Sequence, residues 1–421
     1  MTMFGFRALP RHSINLSAPV LRRVCDLIFS GKVLKGVDVE AFQEAFAGYV
    51  GSNHALSVYS ARLGLYLSIK ALGLREGDEV IVAAYNFHIV PVLIKAMGIK
   101  PVFVDIDPDT YNIDPSLIEA KVSEKTKAIL ATHLFGQSCR MDKIMEVARK
   151  HNLKVIEDCA HSCGAEYKGQ KVGTFGDLGV FSFAMGKTIT CFGGGMIVSG
   201  NKELAEKIAG YMKDYAYPAK SALLAKILKI SILFAVTHPL IYPYIGYPLS
   251  LACSLLGIDV FDRFSEELVE EWKDLPKGLF KRFTNLQAAV GTEQLKGIDA
   301  RIASARENAF MLSKGLGGEA ELSLPKAADE ARHIYFSYRL RLDREPGPFR
   351  KALLRKGIDT KPDDISVCPE IGFFQDEDAS PYSAALGIKR KSFGLPCSHF
   401  LEEADIRYMI EKIREVNLIS S

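Results

Sequence analysis

The sequence predicts an α/β fold: a large domain on a mainly parallel sheet of buried strands, followed by a smaller C-terminal α/β domain. Two observations carry this. Residues 40–200 alternate short, continuously apolar, β-branched runs with helical stretches, the pattern of strands buried on both faces and covered by their connecting helices. Beyond about residue 283 the pattern changes to a long helical segment, one strand and two further helices. At 421 residues the chain has room for two or three domains. Its 48% hydrophobic content excludes a disordered chain, and 53 basic against 50 acidic residues argue against a dedicated nucleic-acid binder.

The strands expected, in order, are EVIVAAY (79–85), PVFVDID (101–107), KAILATHLFG (127–136), KVIEDCA (154–160), GVFSFA (179–184) and GGMIVSG (194–200). Between them LGLYLSIKALGL (63–74) reads as a helix ending at Gly73, and MDKIMEVARKHN (141–152) as one with Ile144, Val147 and Ala148 apolar. Later, 283–316 reads as one long helix, HIYFSYRLRL (333–342) as a strand, and FRKALLRKGI (349–358) and EEADIRYMIEKIREV (402–416) as helices. The expected division is 1–285 for the large domain and 286–421 for the small one. Parallel sheets bind ligands beyond the carboxyl ends of their strands, so residues just after the strands are the first candidates for chemistry.

The eight cysteines form no C-x-x-C pair, so a zinc ribbon or thioredoxin-like motif is unsupported, and no metal site is expected. The start, MTMFGFRALPRHSINL, lacks the apolar core of a secretory signal. Reduced thiols in a cytoplasm are the expectation.

Asp158 ends the run KVIED, which places a carboxylate at a strand's C-terminal end. Lys187 follows the apolar strand GVFSFA, with Ser182 five residues before it and Gly193-Gly194-Gly195 after it. Singly these are ordinary: a capping aspartate and a snorkelling lysine. Together they form a constellation suited to pyridoxal phosphate. A desolvated lysine holds the aldehyde as a Schiff base, and an aspartate keeps the pyridine nitrogen protonated so that the ring draws electrons.

The stretches ALGLREGDEVIV (71–82), GIKPVFVDIDPDTYNIDPSLIEA (98–120), HNLKVIEDCAHSCGAEYKGQKVGTFGD (151–177), FSFAMGKTIT (181–190), GGGM (193–196) and LQAAVGTEQL (286–295) resemble the DegT/StrS family of sugar aminotransferases, in the fold-type I class of pyridoxal-phosphate enzymes. The resemblance runs from about residue 35 to the C-terminus. It implies a seven-stranded sheet in the large domain, a homodimer, and transfer of an amino group from glutamate to a keto-sugar that is nucleotide-linked or lipid-linked. It also implies roles. Lys187 is the Schiff-base lysine and proton carrier, Asp158 partners the pyridine nitrogen, and His161 lies near the ring oxygen. Ser182 binds the phosphate and Phe87 stacks on the ring. The family's Ser-Gly-Thr phosphate turn reads Ser60-Ala61-Arg62, where backbone N–H groups still hold a phosphate and Arg62 adds a charged contact. An asparagine that the family supplies from the neighbouring subunit is replaced by Phe280, with Arg282 matching a nearby basic position. The family's histidine-centred substrate motif reads KPDDISVCPEIG (361–372), without histidine. Lys187 itself is retained, which favours aminotransfer over the dehydration carried out by the branch of the family that replaces it. A membrane-associated, non-catalytic regulator of the same fold is the other alternative.

One segment, 215–275, stands out as a hydrophobic insertion. From 215 to 258 it holds no Asp or Glu, and 25 of the 38 residues in 221–258 are hydrophobic. Its longest strictly hydrophobic run, Ile232 to Val236, is five residues, far short of a membrane span. PLIYPYIGYP (239–248) is too rich in proline for a regular helix. Lys226 and Lys229 lie near one side of a helical wheel without making it cleanly amphipathic. Two readings stand: a lid or subunit contact buried in protein, or a peripheral membrane contact through 221–258.

Overall fold

A computed structural model describes residues 7–11, 14–256, 258, 272, 275–374 and 381–420. Within the segment 215–275, residues 257, 259–271, 273 and 274 lie outside the described residues.

The seven-stranded sheet comprises β1 (His54–Val58), β2 (Glu79–Ala83), β3 (Lys100–Val104), β4 (Thr126–Thr132), β5 (Lys154–Asp158), β6 (Leu178–Ser182) and β7 (Gly195–Ser199), in the spatial order β1-β7-β6-β5-β4-β2-β3. Pairs β3/β2, β2/β4, β4/β5 and β5/β6 are parallel, while β7 runs antiparallel between β6 and β1. Thus β1, β2, β5 and β6 point their carboxyl ends at one edge. Residues in these strands are almost all buried, as their unbroken apolar runs require. The covering helices are α1 (Ala18–Phe29), α2 (Asp38–Val50), α3 (Ala61–Ala71), α4 (Ile89–Ala96), α5 (Met141–Lys150) and α6 (Lys202–Met212).

The segment 215–275 supplies α7 (Lys220–Thr237) and α8 (Gly246–Leu255), joined by turns over 238–245. The stretch 239–248 is therefore irregular only in part: Pro239 and Pro243 lie in the turns, and Pro248 sits in the first turn of α8, where no intrahelical N–H bond is lost. No helix among the described residues is long and apolar enough to cross a membrane.

The expected single helix over 283–316 is two: α9 (Asn285–Leu295) and α10 (Ile298–Leu316). Gly297 leaves helical geometry between them, at φ −113° and ψ 13°. The Thr284 side chain and Gln287 start α9 with a capping box. The small domain pairs β8 (Leu322–Ser323), β9 (Tyr338–Leu342) and β10 (Ser392–Leu395) in an antiparallel sheet, packed against α11 (Pro346–Arg355), α13 (Glu403–Ser420) and the second half of α10. A short helix, α12 (Ser383–Lys389), precedes β10.

Packing does not divide at 285/286. Leu286, Ala289 and Val290 of α9 pack with α1 and the start of α7, while Leu9 packs in the small-domain core. Leu9 also pairs with Ile358, its N–H donating to the Gly357 carbonyl. The N-terminal segment thus joins the second domain, and the division falls inside α10. Apolar side chains decide this, and they are distributed without regard to chain order.

Candidate active site

Three of the expected residues meet at the carboxyl edge of the sheet. Asp158 closes β5 and is buried, its Oδ1 accepting the Ala160 N–H at 3.0 Å. Burial pushes its carboxyl up from the ordinary value, against the pull of that N–H and of the nearby Lys187 charge. His161, three residues on, lies between two aromatic rings: Phe336 at 4.6 Å and Phe135 at 6.1 Å, both stacked. Its Nδ1 is buried with no hydrogen-bond partner. Burial, then the Lys187 charge, hold the imidazole well below its ordinary pKa, so it is neutral. Lys187 Nζ stands 5.2 Å from the Phe336 ring centre.

Lys187 rides on the β6–β7 loop, and buried amides of α9 pin that loop. The Gln294 side chain accepts from Thr190 N–H at 3.2 Å and donates to its carbonyl at 2.9 Å, while Gln287 donates to the Gly193 carbonyl at 2.9 Å. Gly193 and Gly194 adopt φ of +105° and +106°, which side chains rarely tolerate. Gly195 is needed for another reason. A Cβ there would lie 2.5 Å from the Phe181 carbonyl and 3.0 Å from Ala61 N. Its bareness lets the start of α3 come against the hairpin.

That contact assembles a second group. Ser60 caps α3, its Oγ accepting the Leu63 N–H at 3.2 Å, and pairs with Gly194. The N–H groups of Ala61 and Arg62, in the first turn, have no intrahelical acceptor. Ser182, at the end of β6, is paired with Gly195. Phe87 lies after β2 with its ring 4.8 Å from that of His88, and the Arg62 charge helps lower the His88 pKa after burial itself.

The residues fit pyridoxal phosphate. A planar cofactor with a protonated ring nitrogen, a ring oxygen and a phosphate matches a buried carboxylate, an orphaned imidazole nitrogen and a helix start flanked by a serine. Among the described residues one trio, His133, Glu157 and Cys159, groups metal-ligand atoms, but its hydrogen bonds already commit it. The Glu157 carboxylate accepts N–H bonds from Gly173, Phe175 and Gly176 at 2.7–2.8 Å and meets His133 Nε2 at 3.1 Å. His133 Nδ1 accepts from Cys139 N–H, which fixes the Nε2–H tautomer. The His133 N–H donates to the Asp158 carbonyl, so this network braces the strand end that carries Asp158.

Nothing in the sequence marks the far wall. A cavity of about 140 Å³ beside Lys187 is lined by Arg11, Arg301, Tyr335, Phe336, Lys361 and His399, among others. Arg301 donates to the Gln294 carbonyl at 2.7 Å, and Arg11 pairs with Asp359 at 2.7 Å. In the segment that lacks the family's histidines, Lys361 pairs with Asp364 at 2.6 Å, and Asp363 accepts from Tyr85 at 2.7 Å and pairs with Arg339 at 3.1 Å. Phe280 packs instead against Tyr66 and Tyr215. These positions come from segments far apart in the chain.

The DegT/DnrJ/EryC1/StrS aminotransferase family model matches residues 16–414. The chain belongs to this family. It is a pyridoxal-phosphate-dependent aminotransferase of fold type I. Among its relatives is the GDP-perosamine synthase of Caulobacter vibrioides, 31% identical over 382 residues that cover 89% of each chain. Another is the dTDP-3-amino-3,4,6-trideoxy-alpha-D-glucose transaminase of Streptomyces venezuelae, 28% identical over 406 residues, 95% of this chain and 93% of that protein. The X-ray structure of S. venezuelae DesV superposes with a TM-score of 0.75 at 26% identity, covering 95% of this chain and 94% of the other.

Proposed function

We propose that the protein moves an amino group from glutamate to a keto group of a sugar, with Lys187 as the proton carrier. What supports this most is the cluster of Lys187, Asp158 and neutral His161 at the sheet edge, in a chain whose relatives include a dTDP-amino-sugar transaminase and a GDP-perosamine synthase. When bound, the cofactor supplies an electron sink that lets the carbon bearing the amino group release its proton.

The chain's own residues do the rest. The Lys187 amine takes that proton and returns it two atoms away, to the carbon on the other side of the transferred nitrogen. The Asp158 carboxylate, which burial makes reluctant to ionise alone, would be held ionised by a protonated ring nitrogen. His161 Nδ1 would bond the ring oxygen. Ser182, with the N–H groups of Ala61 and Arg62, would hold the phosphate; Ser60 keeps the helix start in register, and Phe87 would pack on the ring. Arg11, Arg301 and Lys361 give the cavity a cationic lining, which supports a donor with two carboxylates. The working form is a homodimer by analogy with the fold class. The acceptor is a nucleotide-linked keto-sugar. A lipid-linked one is a second reading, favoured by the apolar side chains that α7 and α8 leave uncovered.

The test is single-turnover: holoenzyme mixed with glutamate should release 2-oxoglutarate and lose the absorbance band of the lysine-bound cofactor. Lys187→Ala should lack both the band and the turnover. A Lys187→Ala enzyme that keeps the band would overturn the assignment of the lysine.

A further inference from the structure

The helices α7 and α8 are apolar on both sides, and only one side is covered. On α7, Leu223, Ile227 and Ile230 pack into the enzyme body against Val20, Val24 and Phe192. The opposite stripe, at helical spacing, carries Leu228 and Ile232, which are 62% and 56% exposed. On α8, Tyr247 and Ser250 are buried, while Leu249 and the flanking Ile245 and Leu256 are exposed along the opposite side. Leu240, Ile241 and Tyr244 fill the turns between the helices. Nine of the fifteen exposed large hydrophobic residues in the described chain fall between 228 and 256. Scattered exposed leucines need no explanation, but a concentration of this kind on two adjoining helices does.

We propose that this face lies on an anionic lipid bilayer, with α7 and α8 flat in the interface. The proposal is independent of the chemistry at Lys187. Three observations choose lipid over a second copy of the chain. The first is size. At 1.5 Å per residue, helices of 18 and 10 residues presenting a strip about 10 Å wide offer roughly 400 Å². That is about half of what each partner buries in a standard protein interface. The second is charge. Lys229 lies beside the exposed stripe of α7, Lys220 begins the helix, and 215–258 contains no acid; the acidic residues resume at Asp259, outside the described residues. The third is depth. No described helix spans a bilayer, so a face of this kind sits at the headgroup boundary, where an exposed tyrosine such as Tyr244 is at home.

The experiment uses purified holoenzyme and sedimentation with vesicles of phosphatidylcholine alone or of phosphatidylcholine with phosphatidylglycerol. Wild type should pellet with the anionic vesicles, less at high salt. Ile232→Glu/Ile245→Glu, and separately Leu255→Glu/Leu256→Glu, should reduce the bound fraction at least tenfold with turnover of soluble substrate unchanged. Phe310→Glu, at an exposed position on α10, should bind as wild type does. Wild type remaining in the supernatant with both vesicle types overturns the proposal. So does a variant that binds undiminished. Light scattering without lipid gives the third refutation: if either double variant halves the particle mass, the face is a contact between copies.

Discussion

Removing one hydroxyl from the segment between α7 and α8 should be felt at the active-site cavity. The Tyr242 side chain is fully buried and donates to Asp359 Oδ2 at 3.1 Å. The other oxygen of that carboxylate takes Arg11, through Nε at 2.8 Å and Nη2 at 2.7 Å. Arg11 lines the cavity beside Lys187. The Arg11 and Asp359 side chains are only 6% and 2% exposed, so water does not replace a missing donor. Tyr242→Phe keeps the ring and deletes the donor. A hydrogen bond to a charged group contributes about 1.5–3 kcal/mol, so stability should fall by about 2 kcal/mol. That is roughly 30-fold in the folding equilibrium. The control is Tyr244→Phe, 65% exposed, which should stay within about 0.5 kcal/mol of wild type. Urea unfolding followed by circular dichroism measures both, with the slope unchanged in each. As Arg11 loses its anchor, KM for glutamate should rise at constant kcat. If the two phenylalanine variants unfold at the same urea concentration, Tyr242 does not brace Asp359 and the link from this segment to the cavity fails.

Arg301→Met should raise KM for glutamate by about 10- to 100-fold, the value of one or two charge-assisted bonds, while the cofactor band is retained; an unchanged KM would remove Arg301 from the binding site. Acid should destabilise the fold through three histidines that full or partial burial holds below their ordinary pKa. Burial first, then Arg306, lowers His333 to about 3; burial, then Arg301, lowers His399 to about 4; His161 is held well below its ordinary value. The unfolded chain takes up these protons near pH 6.5 and the folded chain does not, so stability falls as pH drops from about 6.5 toward 4. The raised carboxyl of Asp158 opposes this, because the folded chain then binds its proton first. The urea midpoint measured from pH 7 to 5 should decline, and His399→Gln should flatten the decline; a level wild-type profile would contradict the burial argument.

Much of the sheet is legible because its strands are buried on both faces and therefore read as unbroken apolar runs. The six stretches read as strands correspond to β2 through β7. β1 escapes because HALSV alternates half-buried His54 and Leu56 with buried Ala55 and Ser57 and so forms no unbroken apolar run. The break at Gly297 is equally hidden, since one glycine in a helical pattern is tolerated elsewhere. Asp158, Ser182 and Lys187 are legible by position, each at or just beyond a strand's end. Arg11, Arg301 and Phe336 are not. They reach the site through folding of the small domain, and nothing local marks an arginine as facing a cavity.

The α7–α8 segment shows what a sequence pattern leaves open. A helix with one apolar face announces its partner side, and a helix apolar all round announces burial without saying in what. Along α7 both conditions hold at once: Leu223, Ile227 and Ile230 satisfy the protein, and Leu228 and Ile232 remain. The absence of a clean amphipathic pattern is thus the sum of two apolar faces, not a sign of irregular structure. The two readings of the sequence, buried in protein or lying on a membrane, then need not compete. Tyr242 and Tyr247 tie one side to Asp359 and to the Arg355 carbonyl, next to the active-site wall. The other side is left for a surface outside the protein. A segment built this way connects what it lies on to the wall that carries Arg11, which is why the single hydroxyl of Tyr242 is the informative place to cut.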